Sequence, residues 1–546
     1  MSLFEKVLVK KPKRARFDFT HGNSVSMRFG MLTPTETRFI VPGDEVAVSM
    51  EQIVRLAPMP VPTFVNMKVR HDWFFVPLSM MYSKMAMDNL LGTGMGTNAR
   101  ERFRADSLGA YIKHFAPYTS PFVPSSIHDY LGYPVVSDAN NASAATEVNA
   151  FAASPSQTTY DAIWNALGMT GSGSVYAEAF PVLLEPLLVY HYIWRDYYRY
   201  TGLSVDSVPG NESWLENHCL SERHIGAPVT TATGSAINNV NAGQPGIAAT
   251  FRHPGSSEPA TETWSLYLGK PYYAHYKKDM YTSIRYGSKP VVLIPTGTSG
   301  TIPNLREASA AQNFVDLLSV AGQRYWDKIK AVWNVVPEGM KDERVKFLAR
   351  YQSFVKIGEV ITTATTSDAS TGDYAGRGLL IDGKYIFRRR FTEHGWLMCI
   401  SSIIPDIHYI GFNRQLWDTN MLDTPIPQFA NVGDQSVQRR ELYFNWDYTG
   451  NGTVLGDQFR YYAYKSAPSE VHGDFLMNSF KPWTAAGKFR YGNNIIDMTK
   501  VSPNDWNEVF TGPAFDSPIF GSRFYLDLTF HEYITRSLPK YIAYSL

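Results

Sequence analysis

The chain has 546 residues with Lys+Arg 51 against Asp+Glu 50, and a formal net charge of +1 excludes a protein that coats nucleic acid with its whole surface. Charged residues are 18% and aromatics 14%, against roughly a quarter charged in an average soluble domain. Much apolar surface must therefore be buried, either in a large core with Tyr on its rim or between subunits, where aromatics and Met concentrate.

Met1 to Lys10, MSLFEKVLVK, lacks a long apolar segment and a small-residue cleavage site, so no secretory signal is expected. No later apolar run is long enough to span a bilayer, so the expectation is a soluble protein made in the cytosol, with no membrane insertion. The opening segment concentrates Lys6, Lys10, Lys11, Lys13, Arg14 and Arg16 against Glu5. Pro12 and the mutual repulsion of these cations disfavour a helix, so residues 1–20 read as an extended arm, lying on nucleic acid or loose in solvent. Ser26 to Ile53 holds strand-like pieces, RFGML, TRFIV and EVAVSM, around the turn Pro42-Gly43-Asp44. VRLAPMPVP, Val54 to Pro62, links them to Phe64–Pro77, FVNMKVRHDWFFVP. There Val65, Met67, Val69, Trp73 and Phe75 alternate with Asn66, Lys68, Arg70 and Asp72, a period of two that predicts a long strand with one dry face.

Met80, Met81, Met85 and Met87 then fit either a short helix presenting Met to a neighbour or ordinary core filler. Pro134 to Gly173 and Ser204 to Pro259 are poor in charge and rich in turn-forming residues, and read as long excursions. Between them, Leu183, Leu187, Tyr190 and Trp194 at helical spacing predict a helix starting near Pro186. Lys278 to Pro295 reads as strand, loop, strand; Asn304 to Gly322 as a capped helix followed by another at Gln323 to Trp333; Ile361 to Gly372 as a loop. FTEHGWLMCISSIIPDIHYIGF, from Phe391, is apolar enough for a strand buried on both faces, and FRYYAYK, Phe459 to Lys465, is a further strand. Ser522 to His531 alternates Phe524, Leu526, Leu528 and Phe530 with Tyr525, Asp527 and Thr529. Strands of this type near both ends of the chain imply a sheet whose edges both termini supply, and hence a mainly β sandwich with long loops.

Tests for catalytic and metal chemistry find little. LGTGMGTNAR at Leu91 is glycine-rich but is not a phosphate-binding motif, and HExxH, CxxC and GxSxG are absent. His218 beside Cys219, Glu393 beside His394 and His531 beside Glu532 are adjacent pairs, whose side chains on a strand point to opposite faces and do not share a metal. Cys219 and Cys399 have no ligand spacing and are expected as free buried thiols, so no cofactor and no metal are expected. Nucleic-acid contact has two candidate clusters, the basic arm and Arg388, Arg389 and Arg390. Phosphates would pair with these cations without sequence preference, and exposed aromatics would stack on unpaired bases. The three arginines read equally as a solvated strand end or a salt bridge to another subunit.

Ten short segments in order along the chain carry a family likeness. They are the arm with Phe17-Asp18, Pro42-Gly43-Asp44, VRLAPM, WFFVP, DYLGYP, IWRDYYR, KDMYTS, FTEHGWL, FRYYAYKSAPSEVHG and SLPKY. Together they resemble the major capsid proteins of the microviruses, small icosahedral single-stranded DNA phages, and particularly the gokushovirus-like branch. The resemblance implies an eight-stranded viral jelly roll covering residues 21–546, with insertions at about 134–173 and 204–259. It implies copies assembling into a T=1 shell around circular single-stranded DNA, formed in the host bacterial cytoplasm and residing in the virion. The DNA-contacting residues expected on the inner surface are Lys10, Lys11, Lys13, Arg14, Arg16, Arg388, Arg389 and Arg390. A chain of net charge +1 does not neutralise a genome, so a separate small basic DNA-packaging protein is an expected partner. Ile294 to Asn304 is short where the family carries its spike insertion, so one or both long excursions are expected to form the outer decoration and meet a host cell-surface receptor. A jelly-roll carbohydrate-binding or carbohydrate-cleaving protein is the alternative reading.

Overall fold

The computed structural model describes residues 14–80, 127–133, 185–198, 272–276, 345–361, 374–418, 424–430, 434–444, 449–484 and 522–538, with shorter pieces between them. The strands before the first long excursion are β1 (Ala15–Asp18), β2 (His21–Met27), β3 (Thr33–Ile40), β4 (Glu45–Leu56) and β5 (Met67–Pro77). Short pieces follow, β6 (Arg104–Ala105), β7 (Val182–Leu183), β8 (Gly246–Ala249) and β9 (Trp264–Tyr267). The sandwich resumes with β10 (Lys346–Phe354), β11 (Lys356–Ile361), β12 (Tyr374–Arg390) and β13 (Gly395–Pro405), then β14 (Asp434–Gln438), β15 (Val454–Phe459) and β16 (Phe524–Arg536).

Two antiparallel sheets form the body. The six-stranded sheet runs β1-β16-β4-β12-β11, with β2 also on β16, and the four-stranded sheet runs β10-β5-β13-β3. β4 shows how the sequence dictates this. Val46, Val48, Met50, Val54 and Leu56 are buried while Glu45, Glu51 and Arg55 face out, so the period of two places one face on the core. β16 does the same with Phe524, Leu526, Leu528, Phe530 and Ile534. Within the core, Trp73 meets Phe387 and Phe530 edge to face across the gap between sheets. A buried polar chain crosses that gap as well: His71 Nε2 bonds Gln52 Oε1 at 2.9 Å, His71 Nδ1 bonds Ser401 Oγ at 2.7 Å, and Ser401 bonds Thr35 Oγ1 at 2.7 Å.

The strand at Phe64–Pro77 begins at Met67 and has two dry faces where one was expected. It lies between β10 and β13, and its second face is covered: Phe74 packs on Tyr197 and Phe347, while Asp72 takes a forked bond from Arg350 and a further one from Tyr198. Nor do the two terminal-type strands share a sheet. β16 is interior to the six-stranded sheet, and β1 and β2 supply the edge beside it. β13 is buried on both faces as expected, and Cys399 within it is a free buried thiol whose pKa burial pushes up.

The predicted helix is α1 (Glu185–Ile193), with Pro186 in its first turn, continued by a wider turn at Trp194–Tyr198. It lies against β5 and β13, and Trp396 Nε1 donates to the buried Glu185 carboxylate at 2.7 Å. FRYYAYK is not a strand. β15 ends at Phe459, Tyr461 turns the chain with φ of +64°, and Tyr462–Tyr464 form a 3₁₀ turn held by Tyr461 N–H donating to Gln435 Oε1 at 3.0 Å. The Met-rich segment after Met80, both long excursions, the bulk of Lys278–Pro295 and of the helices from Asn304 to Trp333, the loop after Ile361 and Cys219 lie outside the described residues.

Candidate nucleic-acid interface

At one end of the six-stranded sheet a turn, the first strand and the last strand converge. Gly43 makes the β3–β4 turn at φ of +91°, a conformation that side chains with a Cβ resist, and Asp44 Oδ2 accepts from Val41 N–H at 2.9 Å. Asp44 is almost fully buried, and Arg536 neutralises it with a fork: Nε donates to Oδ1 at 3.0 Å and Nη2 to Oδ2 at 2.6 Å. Arg14 Nη2 donates to Gly43 O at 2.6 Å and to Thr535 O at 3.3 Å. The segment with Lys10, Lys11 and Lys13 lies outside the described residues, but Arg14 marks the place where it enters the sheet. From Ala15 the chain is already a paired strand on β16.

Register then joins the two basic clusters that the sequence keeps apart. Arg16 pairs with Thr535, Thr535 with Glu45, and Glu45 with Arg390. One such row faces one way, so Arg16 and Arg390 share the solvent face, three strand spacings or about 14 Å apart. The neighbouring row on that face runs Asp18, Tyr533, Ala47, Arg388. Arg388 Nε donates to Glu45 Oε1 at 2.6 Å, and the Arg16 guanidinium lies 3.9 Å from the Tyr533 ring centroid. Four guanidinium groups, Arg14, Arg16, Arg388 and Arg390, thus stand beside two carboxylates, Asp18 and Glu45.

The predicted triad divides. Arg389 falls in the row of the buried Val46 and Ile534, so it points to the opposite side of β12 from Arg388 and Arg390. Two aromatic groups on the solvent face were not singled out from the sequence, Tyr385 at 59% and Tyr525 at 52% exposure. The alternation of Ser522–His531 already places Tyr525 outward. Tyr385 had no such signal, because β12 carries Asp382, Gly383 and Lys384 in its middle and shows no apolar period.

Behind this face a charged clasp closes the open side of the sandwich. His21 of β2 bonds Glu36 of β3 at 2.6 Å, Arg38 reaches Glu36 at 2.8 Å, and Arg38 Nε reaches Glu532 of β16 at 3.4 Å. The bond to Glu36 raises the His21 pKa to about 9, and burial, with Glu36 close by, pushes the Glu532 carboxyl up. His71 and Ser401 have the spacing of a base and a nucleophile, but both are fully buried, and burial lowers the His71 pKa to about 3. They bridge strands. Glu393 of the adjacent pair Glu393–His394 is held by Lys346 at 2.6 Å, and among the described residues no three His, Cys, Asp or Glu side chains form a metal cluster. No helix among them is long and apolar enough to cross a membrane.

Comparison with known proteins places the chain in a family. The family model described as capsid protein (F protein) matches residues 6–166 and 221–543. The chain is similar to capsid protein VP1 of Chlamydia phage 1, 24% identical over 525 residues, covering 87% of this chain and 86% of that protein. It is also similar to capsid protein VP1 of Bdellovibrio phage phiMH2K, 23% identical over 553 residues, covering 94% and 93%.

Proposed function

We propose, from the premise that this chain belongs to the phage capsid protein (F protein) family, that it is the subunit of a T=1 icosahedral shell whose arginine-rich sheet end faces an enclosed circular single-stranded DNA. The chain is a structural capsid protein of the microvirus type, which favours the capsid reading over the carbohydrate one. Successive strands alternate between the two sheets, β2 and β4 in one, β3 and β5 in the other, and the strand orders β2-β16-β4-β12 and β3-β13-β5-β10 support a jelly roll.

The observation that carries the DNA contact is the shared row of Arg16 and Arg390 at the point where the basic arm enters. A polyanion suits this end because the cations outnumber the carboxylates, and Tyr385 on the same face is available to stack on unpaired bases, while Tyr525 lies at the far end of that face. Lys10, Lys11 and Lys13 extend the basic surface in this proposal, and Arg389, on the opposite side of β12, is left out of it. Among the described residues nothing packs on the outer face of this sheet, whereas the outer face of the four-stranded sheet is covered by α1 and the turn after it. That asymmetry supports the bare face pointing inward and the excursions at 134–173 and 204–259 pointing outward, toward a host receptor. A small basic protein supplies the remaining counter-charge, since the chain nets only +1.

Electron microscopy and sedimentation of the natively expressed protein test the shell, with a persistent monomer as the contrary result. The DNA contact is tested by single-stranded DNA binding against salt. Arg388→Ala and Arg390→Ala should each lower the slope of log affinity against log salt by about 0.7, and an unchanged slope assigns these arginines to protein contacts. Protease cutting between Lys10 and Arg16 in intact filled particles would contradict an inward arm, and well-ordered DNA in virions without a basic protein would contradict the charge argument.

A further inference from the structure

The opposite end of the sandwich, where β4 ends and β5 begins, carries a cluster of exposed apolar side chains. Phe64 is 59% exposed and packs on Phe475 and Trp483, with ring centroids 5.9 and 5.4 Å away; Phe475 meets Phe480 at 6.0 Å. Leu476 at 48%, Met477 at 60% and Phe480 at 36% exposure complete it. The cluster is built, not loose: Phe64 N–H and the Thr63 hydroxyl both donate to the Trp483 carbonyl, at 2.7 and 2.9 Å, and the backbone of 473–480 turns through two short 3₁₀ segments. Rings that brace one another hold the apolar surface in place, yet leave it facing solvent.

We infer that this cluster is a contact surface for a second copy of the same chain. The inference rests on the capsid reading, which supplies many copies side by side. Four large side chains at about half exposure offer on the order of 400 Å², about half of the roughly 800 Å² that each partner gives to a stable interface. That is the share expected of an apolar centre inside a polar rim, and the polar residues Asn66, Asp474, Ser479 and Lys481 flank the cluster along the chain. Phe, Met and Trp, which dominate the cluster, are also enriched at interface centres. Nucleic acid is a poor occupant, because Lys481 is the single cation in 473–484 and Asp474 offsets it.

The test is sedimentation of the full chain bearing Met477→Asp and, separately, Leu476→Asp, beside the wild type, with thermal melts of each. Leu476 is about half exposed and Met477 more than half, so neither substitution opens the core. The expected result is unchanged melting of the subunit with at least a tenfold rise in the protein concentration at which shells form, since a carboxylate would have to be desolvated at the contact. Variants that assemble at the wild-type concentration overturn the inference while leaving the capsid reading intact. Loss of binding to phosphatidylcholine vesicles with assembly unchanged overturns it too, and reassigns the cluster to lipid. A wild type that never assembles is the distinct failure of the capsid reading itself.

Discussion

The two ends of the sandwich are made from the same strands and carry opposite chemistry. Where β4 begins, Arg14, Arg16, Arg388 and Arg390 crowd one face; where β4 ends, Phe64, Leu476, Met477 and Phe480 stand in solvent. Like charges drawn together at the first end gain by meeting a polyanion and would lose by meeting themselves. Apolar side chains at the second end gain by meeting protein and have nothing to offer phosphate. An antiparallel sandwich permits this division because every strand places one terminus at each end, so the residues that terminate strands set the two surfaces independently of the shared core.

The largest expected effect breaks both ends together. Trp73 is fully buried between the sheets, and Trp73→Ala should cost about 3–5 kcal/mol, read as a lowered melting temperature with loss of both DNA binding and assembly. Asp44→Ala sharpens the comparison by acting at the basic end alone. It leaves the Arg536 guanidinium without its forked partner at about 3 kcal/mol, and hydrogen exchange should quicken in β1 and the β3–β4 turn while Phe64 N–H stays protected.

The clasp gives a smaller, pH-dependent effect. His21 is raised to about 9 in the folded chain, so its contribution is full below about 6.5 and is lost as pH rises through 9. Glu532 is raised as well, and its contribution is lost in the same direction but at lower pH than that of His21. Stability should therefore fall on the alkaline side, by about 1 kcal/mol for His21 after discounting for its solvent exposure, and the melting temperature of His21→Gln should be flatter across that range. The smallest effect is Arg388→Ala. Its bridge to Glu45 is exposed and should contribute no more than about 0.5 kcal/mol, so a melt that barely moves beside a reduced salt slope for DNA separates binding from folding.

Much of this was legible in the residues. A period of two located β5 and β16, EVAVSM announced the first half of β4, the apolar run at Gly395–Pro405 announced a doubly buried strand, and Leu187, Tyr190 and Trp194 announced α1. The turn at Gly43 and the basic character of the arm are likewise local facts, because φ preference and charge belong to single residues. β10, β11 and β12 gave no comparable signal, since Lys384 and Asp382 interrupt β12 and Ser353 bonds Asp382 across the sandwich at 2.7 Å. FRYYAYK misled because β-forming side chains there are held in a turn by Gln435, a residue from another segment. The sequence by itself determined which side chains alternate, which segments break, and that two basic clusters exist. Only the tertiary structure decided that β5 has a second covered face, that Arg389 turns away from its neighbours, and that Arg16 and Arg390 stand in one row. Alternation follows from the geometry of one strand, whereas register and neighbour choice follow from which distant strands can close the core together.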